Sequence, residues 1–447
     1  MRRWTSVIVR KIFCLQSPPV TRWKRRNHGF VIQNVEPKPT HHDPVRLRHD
    51  PYSLVAPDLS RLRGNLIGLL GSAHPDLNEV ARYYFLHPSK QLRSLVILLF
   101  SRAMNGLGEN WNAKRRAAEN EADTSLAEEL DRPLKQPDVL NNWHPSMPND
   151  AASFESVFEL RPTGLHHPPS LPAPPPTWMT PHIISSPVVL PTQIRLAQIV
   201  EMIHIASCLH DEVFDPSACE PDPPGGFGNK LSILGGDFLL GRASAALSRL
   251  GESEVVELVG CVISNLVEGE MLRMKSVYTP GLGQLGGPTT LEEAWTSYFK
   301  KTYLKTASLL AKSARASVIL GGCGAGEVWK NVAYMYGRNL GIAYQLMQDS
   351  LVYEEGTSLE PGLATGPVLY AAEEHSELQQ LIQRNFMQEG DIELAISFVR
   401  RSSGVQRTRA LAQSYADKAQ DALHLLPESD AKIALDMLPD CVMNRTL

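Results

Sequence analysis

Apolar residues return at helical spacing along most of this 447-residue chain. Leu62, Leu66, Leu69 and Leu70 recur three and four apart, the stripe that one face of a 3.6-residue period requires. A second run covers 92–104, after Pro88. Beyond Pro191 the pattern resumes and predicts helices over 193–213, 236–250, 254–274, 291–320, 328–353, 377–388, 391–402 and 405–426. No window sustains the period-two alternation of a half-buried strand, so the sequence predicts an all-α chain.

Two stretches break the pattern. Residues 1–35 contain no Asp or Glu, while Arg2, Arg3, Arg10, Lys11, Arg22, Lys24, Arg25 and Arg26 alternate with Trp4, Val7, Ile8, Ile12, Phe13 and Leu15. This is the composition of a mitochondrial transit peptide, because a basic amphipathic helix is drawn to an anionic membrane surface and a negative interior. A basic disordered tail is the alternative, and either reading sets residues 1–45 apart from the fold. Between about 105 and 190, a charged piece over 114–134 gives way to Pro168, Pro169, Pro172, Pro174, Pro175 and Pro176. Clustered prolines lack the backbone donors that helices and sheets need, which predicts a disordered, solvated insertion. A ligand for a small proline-binding adaptor has the same look. The expected folded unit is therefore 46–447, interrupted at about 105–190.

Composition narrows the function classes. The chain is 43% apolar and 21% charged, as globular proteins are. Its 44 basic and 48 acidic residues give a net charge of −4, without the basic excess of a nucleic-acid binder. No apolar run approaches the ~18 residues of a membrane span. The cysteines at 14, 208, 219, 261, 323 and 441 form no CxxC pair, which argues against a disulfide scaffold or structural zinc and fits a reducing compartment.

The helix predicted from 193 ends in an acidic motif. Asp211 and Asp215 are four apart and share a face, with Glu212 beside them. Like charges at that spacing cost a few tenths of a kcal/mol unless a cation lies between them. Mg²⁺ would fill that role and commonly bridges carboxylates to a substrate's phosphates. A solvated acidic helix end is the alternative reading.

The motif does not stand alone. In order the chain carries SKQLR (89–93), EMIHIASCLHDEVFD (201–215), FGNKLSILGGDFLLGRA (227–243), VEGE (267–270), YLKTASLLAKSA (303–314) and YGRNLGIAYQLMQD (336–349). In sequence and order these segments closely resemble the trans-polyprenyl diphosphate synthases, in particular the mitochondrial long-chain type that makes the ubiquinone side chain. The resemblance covers 59–104 and 191 to about 438. It implies an isoprenoid synthase-type helical bundle with a central cavity, two Asp-rich helices facing each other across it. It also implies head-to-tail condensation of isopentenyl diphosphate with an allylic diphosphate, the leaving diphosphate being stabilised by Mg²⁺.

The resemblance assigns roles residue by residue. Lys90 and Arg93 match the basic positions that bind isopentenyl diphosphate, and His204 matches a histidine of the same site, a core histidine being the alternative. Lys305 and Thr306 match the pair that holds the allylic diphosphate, and Gln345 matches the glutamine before the second Asp-rich motif. Asp211, Asp215 and Lys305 are the expected catalytic residues; Asp211, Glu212, Asp215 and Asp349 are the expected metal ligands. Ala206 and Ser207 fall where the family sets product length, and their small size implies an open tunnel; ordinary helix packing is the alternative. The implied assembly is a homodimer, or a heteromer with a related subunit, in the mitochondrial matrix.

Several positions depart from the family pattern. Glu212 replaces the second aspartate of the first motif, and 216–226 contains no arginine where a pair is expected. The second motif reads Gln348, Asp349 and Val352, one aspartate of three, and 353–363 lacks an expected glycine–lysine pair. Ser89 and Ser94 stand where glycine and proline are usual. One lost electrostatic donor at a transition state costs about 10²–10³ in rate. Two expectations therefore stand side by side: a prenyltransferase, and a catalytically impaired subunit that folds like the enzyme and supports an active partner. A terpene cyclase on the same bundle is excluded, because its serine and glutamate positions are Val352 and Gly356.

Overall fold

The structure, a computed structural model, describes residues 50–70, 91–123, 189–211, 213, 228–277, 288–354, 364–386 and 388–444. Every regular element among them is helical. In order they are α1 (Pro51–Leu70), α2 (Leu92–Met104), α3 (Trp111–Asp123), α4 (Pro191–Asp211), α5 (Gly228–Ser248), α6 (Ser253–Val277) and α7 (Leu291–Thr302). A π turn (Tyr303–Ala307) leads into α8 (Ser308–Leu320), followed by α9 (Val328–Glu354), α10 (Gly366–Glu374), α11 (Glu377–Gln383) and α12 (Asp391–Arg401). Then come α13 (Gly404–Ala422), a 3-10 turn (Leu423–Leu425) and α14 (Asp430–Met443). The all-α expectation holds.

Helices apolar on every side belong in the middle of a bundle. In α2 only Arg93 and Arg102 escape full burial, and α8 is buried along most of its length. In α4 burial is nearly complete until the last turns, where His204, Ser207, Cys208, His210 and Asp211 open to one side. That opening marks the cavity. One apolar core gathers α2, α8, α9, α13 and α14, and a second gathers α4, α5 and α6. The crossing of α9 with α8 and the π turn is close enough to require glycine: a Cβ on Gly337 would lie 2.6 Å from the Leu310 carbonyl oxygen of α8, and one on Gly341 2.6 Å from Ala307 Cα in the π turn.

The expected boundaries shift at three places. Helix α5 begins at Gly228 rather than 236, because Gly236 lies inside it. The His210 ring fills the space where a side chain would go, 2.2 Å from an added Cβ. Helix α11 ends at Gln383 rather than 388, where Asn385 and Phe386 turn the chain through positive φ (54° and 53°). The bundle also continues to Asp123 where a disordered insertion is expected from about 105. Trp111 is buried there, Asn110 N–H bonds to the Gly322 carbonyl at 3.0 Å, and Lys114 pairs with Glu252 at 2.9 Å. The rest of the insertion (124–188) and the basic leader lie outside the described residues.

A buried amide pair closes the base of that excursion. Asn105 Nδ2 donates to Gln193 Oε1 at 2.9 Å, and Gln193 Nε2 donates to Asn105 Oδ1 at 2.8 Å and to the Ser317 carbonyl at 2.9 Å. Leu190 N–H adds a bond to Gln193 Oε1 at 2.9 Å. No described helix is long and apolar enough to cross a membrane. Replacing Gln193→Leu strips this partner from buried polar groups on three segments and is expected to lower stability by about 2 kcal/mol. Chemical denaturation of both proteins checks this; an unchanged midpoint would mean the clamp contributes nothing.

Candidate active site

The site is built around the π turn. Wide turns of this kind inside a helix redirect side chains and often sit at functional positions. Here the adjacent residues Lys305 and Thr306 reach different neighbours. Lys305 Nζ donates to Asp211 Oδ1 on α4 at 2.7 Å and to Glu270 Oε2 on α6 at 2.8 Å. Thr306 Oγ1 donates to Gln345 Oε1 on α9 at 2.9 Å. Lys305 passes over Gly269, where a Cβ would come within 2.7 Å of its Cγ. The glycine of VEGE thus clears the path of the lysine, and the glutamate beside it receives the ammonium.

Charge within this cluster is balanced at short range. Burial alone would lower the Lys305 pKa, but Asp211 and Glu270 outweigh it and hold the ammonium above its usual range. Burial opposes the charge on Glu270 as well, yet Arg273 and Lys305 bring its carboxyl down to about 2. Burial raises Asp211, against the pull of Lys305 and with the added push of Glu270.

His204 and Arg93 complete the near wall. Burial, then the charges of Arg93 and Lys305, press the His204 pKa well below its ordinary value, so the ring stays neutral. Arg93 Nε is buried with no hydrogen-bond partner among the described residues, a donor left unsatisfied at the start of α2. The start of α2 is fixed by Glu201, which is buried. Ser94 donates to its Oε1 from the hydroxyl at 2.7 Å and from the backbone N–H at 3.3 Å. A proline at 94 could not make that backbone bond, so the departure at Ser94 has a local use.

The far wall centres on Asp349, an expected metal ligand. This carboxylate is buried and has both oxygens engaged: Gln345 Nε2 donates to Oδ1 at 2.9 Å, Tyr298 Oη to Oδ2 at 2.7 Å, and Gly366 N–H to Oδ2 at 3.4 Å. Burial raises its pKa despite these donors. Asp349 therefore joins α9 to α7 and to the first turn of α10. Tyr298, which periodicity did not single out, is its principal partner.

Below the Asp211–Lys305–Glu270 cluster lies a pocket of about 200 Å³, lined by Ile203, Ser207, Leu240, Ile263, Leu266 and Val267 among others. Of the two residues expected to set product length, Ser207 lines this pocket and Ala206 is buried in the α4–α6 core. Lys90, Glu212 and Asp215 lie outside the described residues. Among the described residues no three His, Cys, Asp or Glu stand together as a metal site; Asp211 is the one expected ligand found at the cluster. The sequence pattern does not single out Glu270 or its neighbour Arg273 as site residues, although VEGE stands among the motifs.

Residues 179–399 match the polyprenyl synthetase family. The chain is 40% identical over 415 residues to a probable mitochondrial hexaprenyl pyrophosphate synthase of Yarrowia lipolytica, spanning 90% of this chain and 86% of that protein. It is 34% identical over 404 residues to decaprenyl-diphosphate synthase subunit 1 of Schizosaccharomyces pombe, spanning 88% and 90%. A polyprenyl synthase from Caulobacter crescentus, solved in complex with calcium and isoprenyl diphosphate, shares the fold with a TM-score of 0.58 at 21% identity, over 89% of this chain and 97% of that one. The chain belongs to the polyprenyl synthetase family. By that membership it is a prenyltransferase of the long-chain polyprenyl diphosphate synthase type.

The Asp349 junction is directly testable. Tyr298→Phe leaves a buried carboxylate oxygen short of its strongest donor and is expected to cost about 1–3 kcal/mol. Thermal unfolding measures the loss; a melting temperature equal to wild type would show that the junction carries no weight.

Proposed function

We propose that this chain condenses isopentenyl diphosphate with an allylic diphosphate, head to tail and repeatedly, to make a long prenyl diphosphate for the ubiquinone side chain in the mitochondrial matrix. The observation that carries this reading is one arrangement: Lys305 bridges Asp211 and Glu270 at the head of an apolar pocket, with the charges of Arg93 and Lys305 both acting on His204. Cations at the mouth suit a diphosphate, and the pocket suits the hydrocarbon behind it.

In this reading Arg93 offers its orphaned Nε to isopentenyl diphosphate, beside Lys90, and neutral His204 serves as a hydrogen-bond partner there. Lys305 takes oxygens of the allylic diphosphate and stabilises charge developing on the leaving group. Thr306 and Gln345, bonded to each other, line the reacting end. Mg²⁺ suits the oxygen ligands of Asp211 with Glu212 and Asp215, and when bound it supplies charge neutralisation for the departing diphosphate. Asp349, with both oxygens engaged, is left out of that set. The pocket excludes water from the growing chain, and small Ser207 leaves it open at the Asp-rich helix.

A second reading draws on the same far wall. With Asp349 tied into a structural junction and no arginine over 216–226, the chain would serve as a weakly catalytic subunit beside an active synthase. The S. pombe relative is named as one subunit of its enzyme. Exposed apolar residues on α5 and α6 away from the pocket, namely Ile233, Leu234 and Val256, suit a homodimer or such a heteromer.

A prenyl-transfer assay with labelled isopentenyl diphosphate, an allylic primer and Mg²⁺ separates the two. A working enzyme is expected to lose at least about 10²-fold with Asp211→Ala. Ser207→Phe, which fills the pocket mouth, is expected to shorten its product. A well-folded protein that makes no product alone, and raises the output of an active synthase, would instead establish the supporting role.

A further inference from the structure

Four charges alternate along the edge of the site. On α6, Arg273 lies three residues beyond Glu270 and places Nε 2.8 Å from Glu270 Oε1, with Nη2 on the same oxygen. Lys305 holds the other oxygen, Oε2, at 2.8 Å, and reaches Asp211 Oδ1 at 2.7 Å. The order is thus Asp211, Lys305, Glu270, Arg273, two anions and two cations summing to zero. The side chains of Lys305, Glu270 and Arg273 are only 19%, 22% and 30% exposed, so these contacts are poorly screened.

This geometry sets a condition on Lys305. An incoming anion must draw the ammonium away from carboxylates that already hold it. Glu270, fixed on α6, is the persistent competitor. A carboxylate shared between two cations pulls less on each than one held by a single cation. Arg273 occupies one oxygen of Glu270 and so weakens the grip of the other on Lys305. The condition matters more in this chain, since 216–226 carries no arginine or lysine to share the load.

We propose that Arg273 is a positioning residue for diphosphate binding: by neutralising Glu270 it leaves the Lys305 ammonium available to anionic oxygens. The inference rests on the reading of Lys305 as a diphosphate-holding lysine. It is specific to a charge chain that neither the Asp-rich motifs nor the KT pair discloses.

The test is calorimetric titration of inorganic pyrophosphate, in the presence of Mg²⁺, into the full chain and its variants. Arg273→Gln is expected to weaken binding about tenfold, the size of coupling usual between contacting charged residues. Arg273→Lys should retain most of the affinity. The double variant Glu270→Gln with Arg273→Gln removes the competitor along with its neutraliser and should return binding to within about twofold of wild type, a recovery that mere structural damage would not show. Wild-type affinity in Arg273→Gln overturns the proposal. So does a loss that the double variant fails to recover at unchanged melting temperature, since Arg273 would then act on the anion without Glu270. Lys305→Gln separates the layers: if it binds pyrophosphate as wild type does, the reading of Lys305 itself has failed.

Discussion

Lys305 is a single ammonium withdrawn from water at the meeting of three helices, and much of the site follows from keeping it there. Such a charge is tolerated only with opposite charge at hydrogen-bond distance. Helix α4 supplies Asp211, and α6 supplies Glu270. The stem reaches them because a π turn points it away from Thr306, and because Gly269 leaves room for it to pass. The same turn commits Thr306 to Gln345, and Gln345 in turn holds Asp349. A local irregularity of the backbone thus couples a charged wall on one side to a hydrogen-bonded wall on the other.

The two walls use their carboxylates differently. Asp211 meets Lys305 through one oxygen at the rim of a pocket, where a second partner can approach. Asp349 has donors on both oxygens, drawn from α7, α9 and the start of α10. Redirecting it toward a cation would strand Tyr298 and Gln345 without their acceptor, at about 1–3 kcal/mol for each buried group left unsatisfied. A carboxylate at 349 therefore has a structural reason to be present, whatever happened at 348 and 352. The surviving aspartate of a degenerate motif is not by itself a sign of retained metal chemistry.

Much of this was legible in the chain before its folding was known. Apolar periodicity placed α4, α6, α9, α12 and α13 to within a few residues, because burial of a helical stripe is what the pattern measures. The register of six motifs brought Arg93, His204, Lys305, Thr306 and Gln345 into view; of these Lys305 lines the pocket, Thr306 bonds to Gln345, and His204 feels the charges of Arg93 and Lys305. What periodicity could not convey was geometry set by single contacts. The π turn leaves no compositional trace in 291–320. Gly236 reads as a helix boundary until the His210 ring is seen to occupy its missing side chain. The charged stretch after 105 reads as solvated because Leu107 and Trp111 are its only strongly apolar residues before Leu126, and the rest is charged or polar apart from alanines and glycines. Glu270 and Arg273 look like an ordinary surface pair on α6 until Lys305 is found on the opposite oxygen.

The forces that maintain the bundle are largely separate from those that shape the site, and this separation lets the motifs drift. The core is held by apolar faces and by buried polar contacts such as the Asn105–Gln193 pair and the Ser94–Glu201 cap. None of these needs a metal or a diphosphate. Gln348 and Val352, half-buried on α9 and members of neither apolar core, place no carboxylate where the family pattern has aspartates, and the cores do not depend on them. The electrostatic consequence falls on the cations that remain. On the reading of Lys305 as a diphosphate-holding lysine, its freedom between Asp211 and Glu270 sets how readily it meets an anion, and Arg273 on the other oxygen of Glu270 loosens that hold. In that reading competence toward diphosphate depends on the charges around Lys305 and is distinct from the count of aspartates in either motif.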